Sequence, residues 1–331
     1  MVPSYFSYFS SIPIRIFFAA LSGFLQHLIF PGHNWSFLVW IALVPLLISG
    51  FQERNGKHAF FLGMISGIVF FTFSCYWIYD VLSNYGNLGL IGATFLFTSL
   101  VLYLSVYQGI FVYLFSRTSL NSAKLCFVLC PLFWVCTEYL RAHVFTGFPW
   151  CLLGYGFIDS VEIVQLASYT GVYGLSFLAV GSSSVIVSLF FFSSWRYLGF
   201  VLLIMGAFFE GIKLVSIDLT NKENNKGYAR IVQPDIDVEK EWNNETRIKT
   251  LNQLIKLSLN KSEGKIQSPS MDIVVWPETP APFYYNHDPQ FRRTINKITQ
   301  QAGAAIVFGF VDFQPIVSKS GITASSTLKP Y

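Results

Sequence analysis

The chain has 331 residues, of which 53% are hydrophobic and only 12% charged, against roughly 25% charged in an ordinary soluble domain. Its formal net charge of +4 is small and spread out, which excludes the concentrated basic face of a nucleic-acid binder. The length suffices for two domains, and the charges divide them: residues 1–217 carry 8 Lys/Arg and 6 Asp/Glu, whereas residues 218–331 carry 14 and 12. The first part reads as a transmembrane helical domain and the second as a water-soluble one.

A bilayer crossing takes about 20 apolar residues. Runs of that kind fall near 12–30, 35–51, 58–79, 88–115, 122–140, 165–192 and 196–213, so seven crossings are expected. The first run passes straight into more membrane sequence and reads as a retained anchor, not a cleaved leader. Arg15, Arg54, Lys57, Arg117, Lys124 and Arg196 fall in loops of one parity, and Asp80, Asp159 and Glu162 in loops of the other, with Arg141 as the basic exception. The positive-inside rule then places the N-terminus in the cytoplasm and everything after about Lys213 outside; in a bacterium that is the periplasmic face of the inner membrane.

Within this region Gly63 and Gly67 form a small-xxx-small pair, suited to close helix packing. All five cysteines (Cys75, Cys126, Cys130, Cys136, Cys151) lie before residue 152, so no disulfide framework is implied in the soluble part. Cys126 and Cys130 sit at i,i+4 without His or carboxylate at ligand spacing and read as packing residues, not metal ligands. The stretch from Glu138 to Glu162 mixes Gly, Pro and aromatics, and Gly147-Phe-Pro-Trp150 is incompatible with a helix interior. Two readings stand side by side: a loop lying on lipid head groups, with Trp150 and Tyr155 in the interfacial belt, or a re-entrant arm lining a lipid-accessible cavity.

The soluble part follows a polar linker, Thr220–Gly227. Tyr228–Gln233 reads as a strand closed by Pro234, and Glu241–Leu259 as a helix with Ile248, Leu251, Ile255 and Leu259 on one face. Ile273–Trp276 reads as a buried strand stopped by Pro277, which has no N–H for a ladder. Asp288 reads as a helix N-cap with Pro289 in the first turn, and Phe291, Ile295, Ile298 and Ala302 as that helix's inner face. Ala304–Phe310 reads as a third strand. The order β-α-β-α-β predicts an α/β layer, with Glu278 at the carboxyl end of its second strand, where open α/β folds place their chemistry. His287, nine residues on, reads as a loop residue without a catalytic role.

Three stretches carry a resemblance to bacterial apolipoprotein N-acyltransferases, which join a polytopic membrane domain to a periplasmic nitrilase-superfamily domain. They are Glu138-Tyr-Leu-Arg141 with Phe145-Thr-Gly-Phe-Pro-Trp150 and Gly154-Tyr155; Val232-Gln-Pro-Asp-Ile236 with Lys240-Glu-Trp242; and Val275-Trp-Pro-Glu-Thr279. The resemblance runs to about Phe313. It implies a polytopic helical membrane domain followed by the N-terminal part of a nitrilase-like α/β sandwich, with no metal and no cofactor. It also implies a Glu–Lys–Cys triad that moves an acyl chain from a phospholipid donor, through a thioester on the cysteine, to the α-amine of a diacylglyceryl apolipoprotein. Glu278 matches the family's general base; a thiol needs such a neighbour to be nucleophilic at neutral pH. Trp242 matches a tryptophan near the active-site mouth, and Phe148, Pro149 and Trp150 match a membrane-proximal arm; all four are candidates for substrate contact, with packing as the other reading.

The chain also departs from the family. The lysine-bearing stretch (K-x-H-L-V-P-F-G-E) has no counterpart, no cysteine follows Cys151, and from about Gln314 the pattern is lost. Premature termination, a frameshift, or a second chain supplying the other half would each produce this. A three-stranded piece of a two-sheet fold is expected to leave one apolar face and an edge uncovered. The alternative to an acyltransferase is therefore an inactive remnant, or half of a split enzyme acting as a membrane scaffold. A membrane-anchored amidase is disfavoured by the arm, and a transporter by the few ionisable residues in the helices.

Overall fold

The computed structural model describes residues 11–30, 32–33, 35–86, 88–192, 206, 210–211, 213, 227–236, 244–259, 272–278 and 285–310. The chain divides into two compact units, Met1–Asn221 and Lys222–Tyr331.

The first unit is helical: α1 (Ile12–Leu28), α2 (Val44–Gln52), α3 (Gly56–Ser74), α4 (Tyr76–Asn84), α5 (Gly89–Asn121), α6 (Ala123–His143), α7 (Val161–Val164) and α8 (Ala167–Phe192). Among the described residues four helices are long and apolar enough to cross a bilayer: α3, α5, α6 with its continuation to Thr146, and α8. This differs from the seven expected runs for local reasons. The run 35–51 is split into a 3-10 turn, Ser36–Trp40, and α2, because Pro45 has no N–H to return to Ile41 and sits in the first turn of a new helix. The carbonyls freed by that break are capped from other helices. Trp40 O accepts from Ser182 Oγ at 2.8 Å and Ser183 Oγ at 3.0 Å, and Ala42 O accepts from Ser22 Oγ at 2.7 Å. The run 58–79 breaks at Cys75 (φ −113°, ψ 13°). Most of 196–213 lies outside the described residues.

Small side chains decide which helices touch. A Cβ on Gly67 would stand 2.7 Å from Ser105 Cα, and one on Gly63 would collide with the backbone of Gln108, so α3 and α5 meet backbone to backbone. Pro131 lies inside α6; it cannot donate to Phe127 O four residues back, and Ser184 Oγ of α8 takes that carbonyl instead at 2.7 Å. Large apolar side chains point outward, Ile91 being 86% exposed and Phe95 68%, as a lipid-facing surface requires.

The second unit holds β1 (Ala229–Ile231), α9 (Asn244–Leu259), β2 (Ile273–Val275), α10 (Pro289–Ala302) and β3 (Ala305–Val307). The strands form a parallel sheet in the order β1-β2-β3, with Arg230, Val274 and Ile306 in one register row and Ile231, Val275 and Val307 in the next. Both crossovers advance in the same direction, so right-handed connections put α9 and α10 on one face, where they pack on each other. Val274, Leu254, Phe291, Ile295 and Ile298 form the core of that face. On the opposite face Ile231 is 82% and Val307 52% exposed.

The helix signals read from the sequence operate here. Asp288 caps α10 by accepting from Gln290 N and Phe291 N, Pro289 occupies the first turn, and Gly303 closes the helix in a left-handed conformation (φ 65°).

Candidate functional site

Glu278 follows the central strand, β2. The ladder ends one residue earlier: Trp276 N donates to Val307 O at 2.9 Å, and Pro277 has no donor to continue it. The Trp276 indole N–H donates to Ser258 Oγ at 2.8 Å, which fixes the strand end against α9. The carboxylate is exposed. Gly309 lies against the Glu278 backbone so closely that any Cβ there would collide with the Glu278 carbonyl. On the other side, Val232 N donates to Val275 O at 2.9 Å, and the Val232–Ile236 stretch runs past the same sheet edge. Gln253 Nε2 holds Pro234 O at 2.5 Å, and Asp235 takes a left-handed conformation (φ 50°). His287 lies in the turn before α10. Its neighbour Asp288 is bridged to Arg247 of α9 at 2.7 Å. Trp242 lies outside the described residues.

Phe148, Pro149 and Trp150 belong to the first unit. They follow α6 and a 3-10 turn, Val144–Thr146, in a segment flanked by departures from regular backbone. Phe145 (φ 52°), Thr146 (φ 76°), Gly147 (φ 79°) and Cys151 (φ 53°) all have positive φ. The segment folds back over the last turn of α6. Phe148 N donates to Arg141 O at 2.8 Å. Arg141 Nη1 donates to Phe148 O at 3.0 Å and to Trp150 O at 2.7 Å. Glu138 Oε1 accepts from Leu153 N at 2.8 Å, just past the arm. Arg141 also stacks over the Phe71 ring, 5.2 Å from its centroid. Both charged side chains are buried, at 3% and 4% exposure. Charge is costly at such a place unless it is used; here it satisfies arm backbone that has no helix to bond to. The aromatic tip stays accessible: Trp150 is 52% exposed and packs on Phe148 and on Trp77 of α4, with ring centroids 5.5 and 6.3 Å apart.

The structure thus joins Phe148, Pro149 and Trp150 to two buried charged side chains, Glu138 and Arg141, which stand in the sequence three residues apart in the stretch Glu138-Tyr-Leu-Arg141. The available signal was a Glu and an Arg inside apolar sequence, followed by a segment that could not stay helical. Glu278 belongs to the other unit. Cys126 and Cys130 are part of the apolar core.

Residues 22–185 match the family model described as the apolipoprotein N-acyltransferase N-terminal domain, a span that contains Glu138, Arg141 and the whole arm. The chain is also 32% identical over 317 residues to an apolipoprotein N-acyltransferase of Geobacter metallireducens, covering 92% of this chain and 59% of that protein. The chain is a relative of the apolipoprotein N-acyltransferases. Further relatives of the same name are found in Pasteurella multocida, 28% identical over 95% of this chain and 60% of the relative, and in Photobacterium profundum, 27% identical over 90% and 56%. The chain spans somewhat under two thirds of the length of these family members, and the similarity crosses from the membrane unit into the α/β unit.

Proposed function

We propose that this chain provides the membrane region and the general base of a bacterial lipoprotein N-acyltransferase. The observation that carries this reading is the similarity to the Geobacter metallireducens relative over 92% of the chain, which takes in both the arm and Glu278. In this reading Glu278 takes the proton of a cysteine thiol, and the thiolate attacks the ester carbonyl of a phospholipid. The tetrahedral intermediate collapses to a thioester and expels a lysophospholipid, which recovers the proton from Glu278. The α-amine of a diacylglyceryl apolipoprotein then attacks the thioester, Glu278 accepts the amine proton, and the thiolate leaves. A lysine holds each oxyanion as a fixed positive donor. Phe148, Pro149, Trp150 and Trp242 contact the lipid-anchored substrates. The protein sits in the inner membrane with its N-terminus cytoplasmic and its α/β unit periplasmic.

The position of Glu278 supports its role: it stands exposed at the carboxyl end of a central parallel strand, where a base reaches substrate. The lysine and the nucleophilic cysteine have no counterpart in this sequence, and all five of its cysteines precede residue 152. The bare sheet face of Ile231 and Val307 favours a second α/β layer packed there, carried by a further segment or by a second chain. It equally suits the alternative, a non-catalytic membrane scaffold.

The test is acyl transfer from a fluorescent phospholipid to a diacylglyceryl peptide. The 331-residue chain alone is expected to give none. Fused after Phe310 to the remaining C-terminal segment of the Geobacter metallireducens relative, it is expected to give transfer that Glu278→Gln abolishes. A stably folded but inactive fusion supports the scaffold reading; an active fusion indifferent to Glu278→Gln removes Glu278 from the mechanism.

A further inference from the structure

Beneath the arm, helices α1, α3, α5 and α6 enclose a cavity of about 20 Å³, lined among others by Gln26, Gln108, Trp134, Thr137, Glu138 and Arg141. Three of its lining atoms are buried polar atoms without a hydrogen-bond partner: Gln108 Oε1, Trp134 Nε1 and Glu138 Oε2. Their residues are at most 5% exposed. The Ser176 hydroxyl and the Trp134 indole N–H both interact with the Glu138 carboxylate, but neither reaches hydrogen-bond geometry at its Oε2.

The three atoms form a matched set. The amide of Gln108 is oriented by its own Nε2, which donates to Gln26 Oε1 at 3.0 Å, so Oε1 is the atom left over and can only accept. Glu138 Oε2 likewise only accepts when the carboxylate is ionised, and Trp134 Nε1 only donates. Two acceptors and one donor are complementary to a single water, which has two protons and free lone pairs. The volume agrees, since a water needs about 10–15 Å³ of such space and two to four polar partners. An anion is opposed by the two acceptors, and a cation by Arg141 and the indole N–H. The carboxylate has its other oxygen on Leu153 N, so anything that orders Glu138 also orders the root of the arm.

We propose that this cavity binds one water molecule, which donates to Gln108 Oε1 and Glu138 Oε2, accepts from Trp134 Nε1, and ties the arm to the α5–α6 packing. The proposal holds whether or not the protein transfers acyl groups.

The direct test is a density map of the full chain in lipid nanodiscs, at a resolution that shows ordered water. One peak about 2.6–3.2 Å from all three atoms is expected. No peak, or Trp134 bonded straight to Glu138, overturns the proposal. The second test needs no map: hydrogen exchange at the Leu153 amide in Trp134→Phe, Gln108→Leu and the double variant. Each single change is expected to speed exchange about tenfold, and the double change no further, because both remove the same water. A hundredfold effect in the double variant, or acceleration in fewer than both singles, overturns it.

Discussion

The two carboxylates central to this protein, Glu138 and Glu278, stand in opposite surroundings. Glu138 is 4% exposed, shares one helical turn with Arg141, and binds the backbone of the segment it organises. Glu278 is exposed at the end of a strand whose own geometry is fixed by neighbours, Trp276 on Ser258 and Gly309 on the Glu278 carbonyl. The first carboxylate is buried within the structure, whereas the second is exposed at its surface. Glu138 binds backbone through one carboxylate oxygen, Oε1 on Leu153 N, whereas Glu278 stands at a strand's carboxyl edge, where a proposed base has access to substrate.

That contrast breaks if the two residues respond alike to mutation. In the fusion proposed above, Glu278→Gln is expected to lower kcat by about 10²–10⁴, the usual worth of a general base, and to leave thermal unfolding within about 0.5 kcal/mol of the parent, as at an exposed position. Arg141→Met is expected to do the reverse. It strips Phe148 O and Trp150 O of their donor and leaves Glu138 uncompensated, so a loss of about 3–5 kcal/mol is expected in denaturant unfolding from micelles. Glu138→Gln combined with Arg141→Met should cost less than the sum of the two single changes, because the two side chains act on one segment.

The sequence made one kind of structure more legible than another. In the α/β unit the signals were local. Pro277 ended β2, Asp288 and Pro289 opened α10, and Phe291, Ile295 and Ile298 gave its inner face, all as seen. Parallel pairing followed from the alternation of strands and helices. In the membrane unit hydropathy gave the long helices but not their breaks, because lipid and a buried helix face accept the same side chains. Run 35–51 looked continuous because Pro45 sits among Leu, Val and Ile, and what stabilises the break is a set of hydroxyls from Ser22, Ser182 and Ser183, remote in sequence. The arm was legible as non-helical from Gly147 and Pro149. Its attachment to Arg141 was not, since nothing in an i,i+3 spacing says that the charge turns toward backbone seven and nine residues ahead.

The glycine contacts sharpen the architectural side of the comparison. Gly67→Val places methyl groups on a Cβ that would itself stand 2.7 Å from Ser105 Cα, so α3 and α5 must separate. A loss of about 1–3 kcal/mol is expected in the same unfolding assay, whereas Phe95→Ala on the lipid-facing side of α5 should fall within about 0.5 kcal/mol. In the α/β unit, Asp288→Ala removes the cap of α10 together with its bridge to Arg247. It should cost about 1 kcal/mol, and Asp288→Asn, which keeps the capping oxygen, should recover most of it.

A small expected effect is informative about how the membrane unit tolerates its prolines. Ser184→Ala deletes only the hydroxyl that Phe127 O accepts in place of the missing Pro131 N–H. Interhelical hydrogen bonds of this kind are worth about 0.6 kcal/mol on average in membranes, because the unfolded state in lipid also finds partners. If the hydroxyl serves only to satisfy the carbonyl freed by proline, then Pro131→Ala, which restores a donor to Phe127 O within α6, should make Ser184→Ala nearly neutral. An undiminished loss in the Pro131→Ala background would mean that Ser184 matters through its packing against Phe127 and not through the orphaned carbonyl.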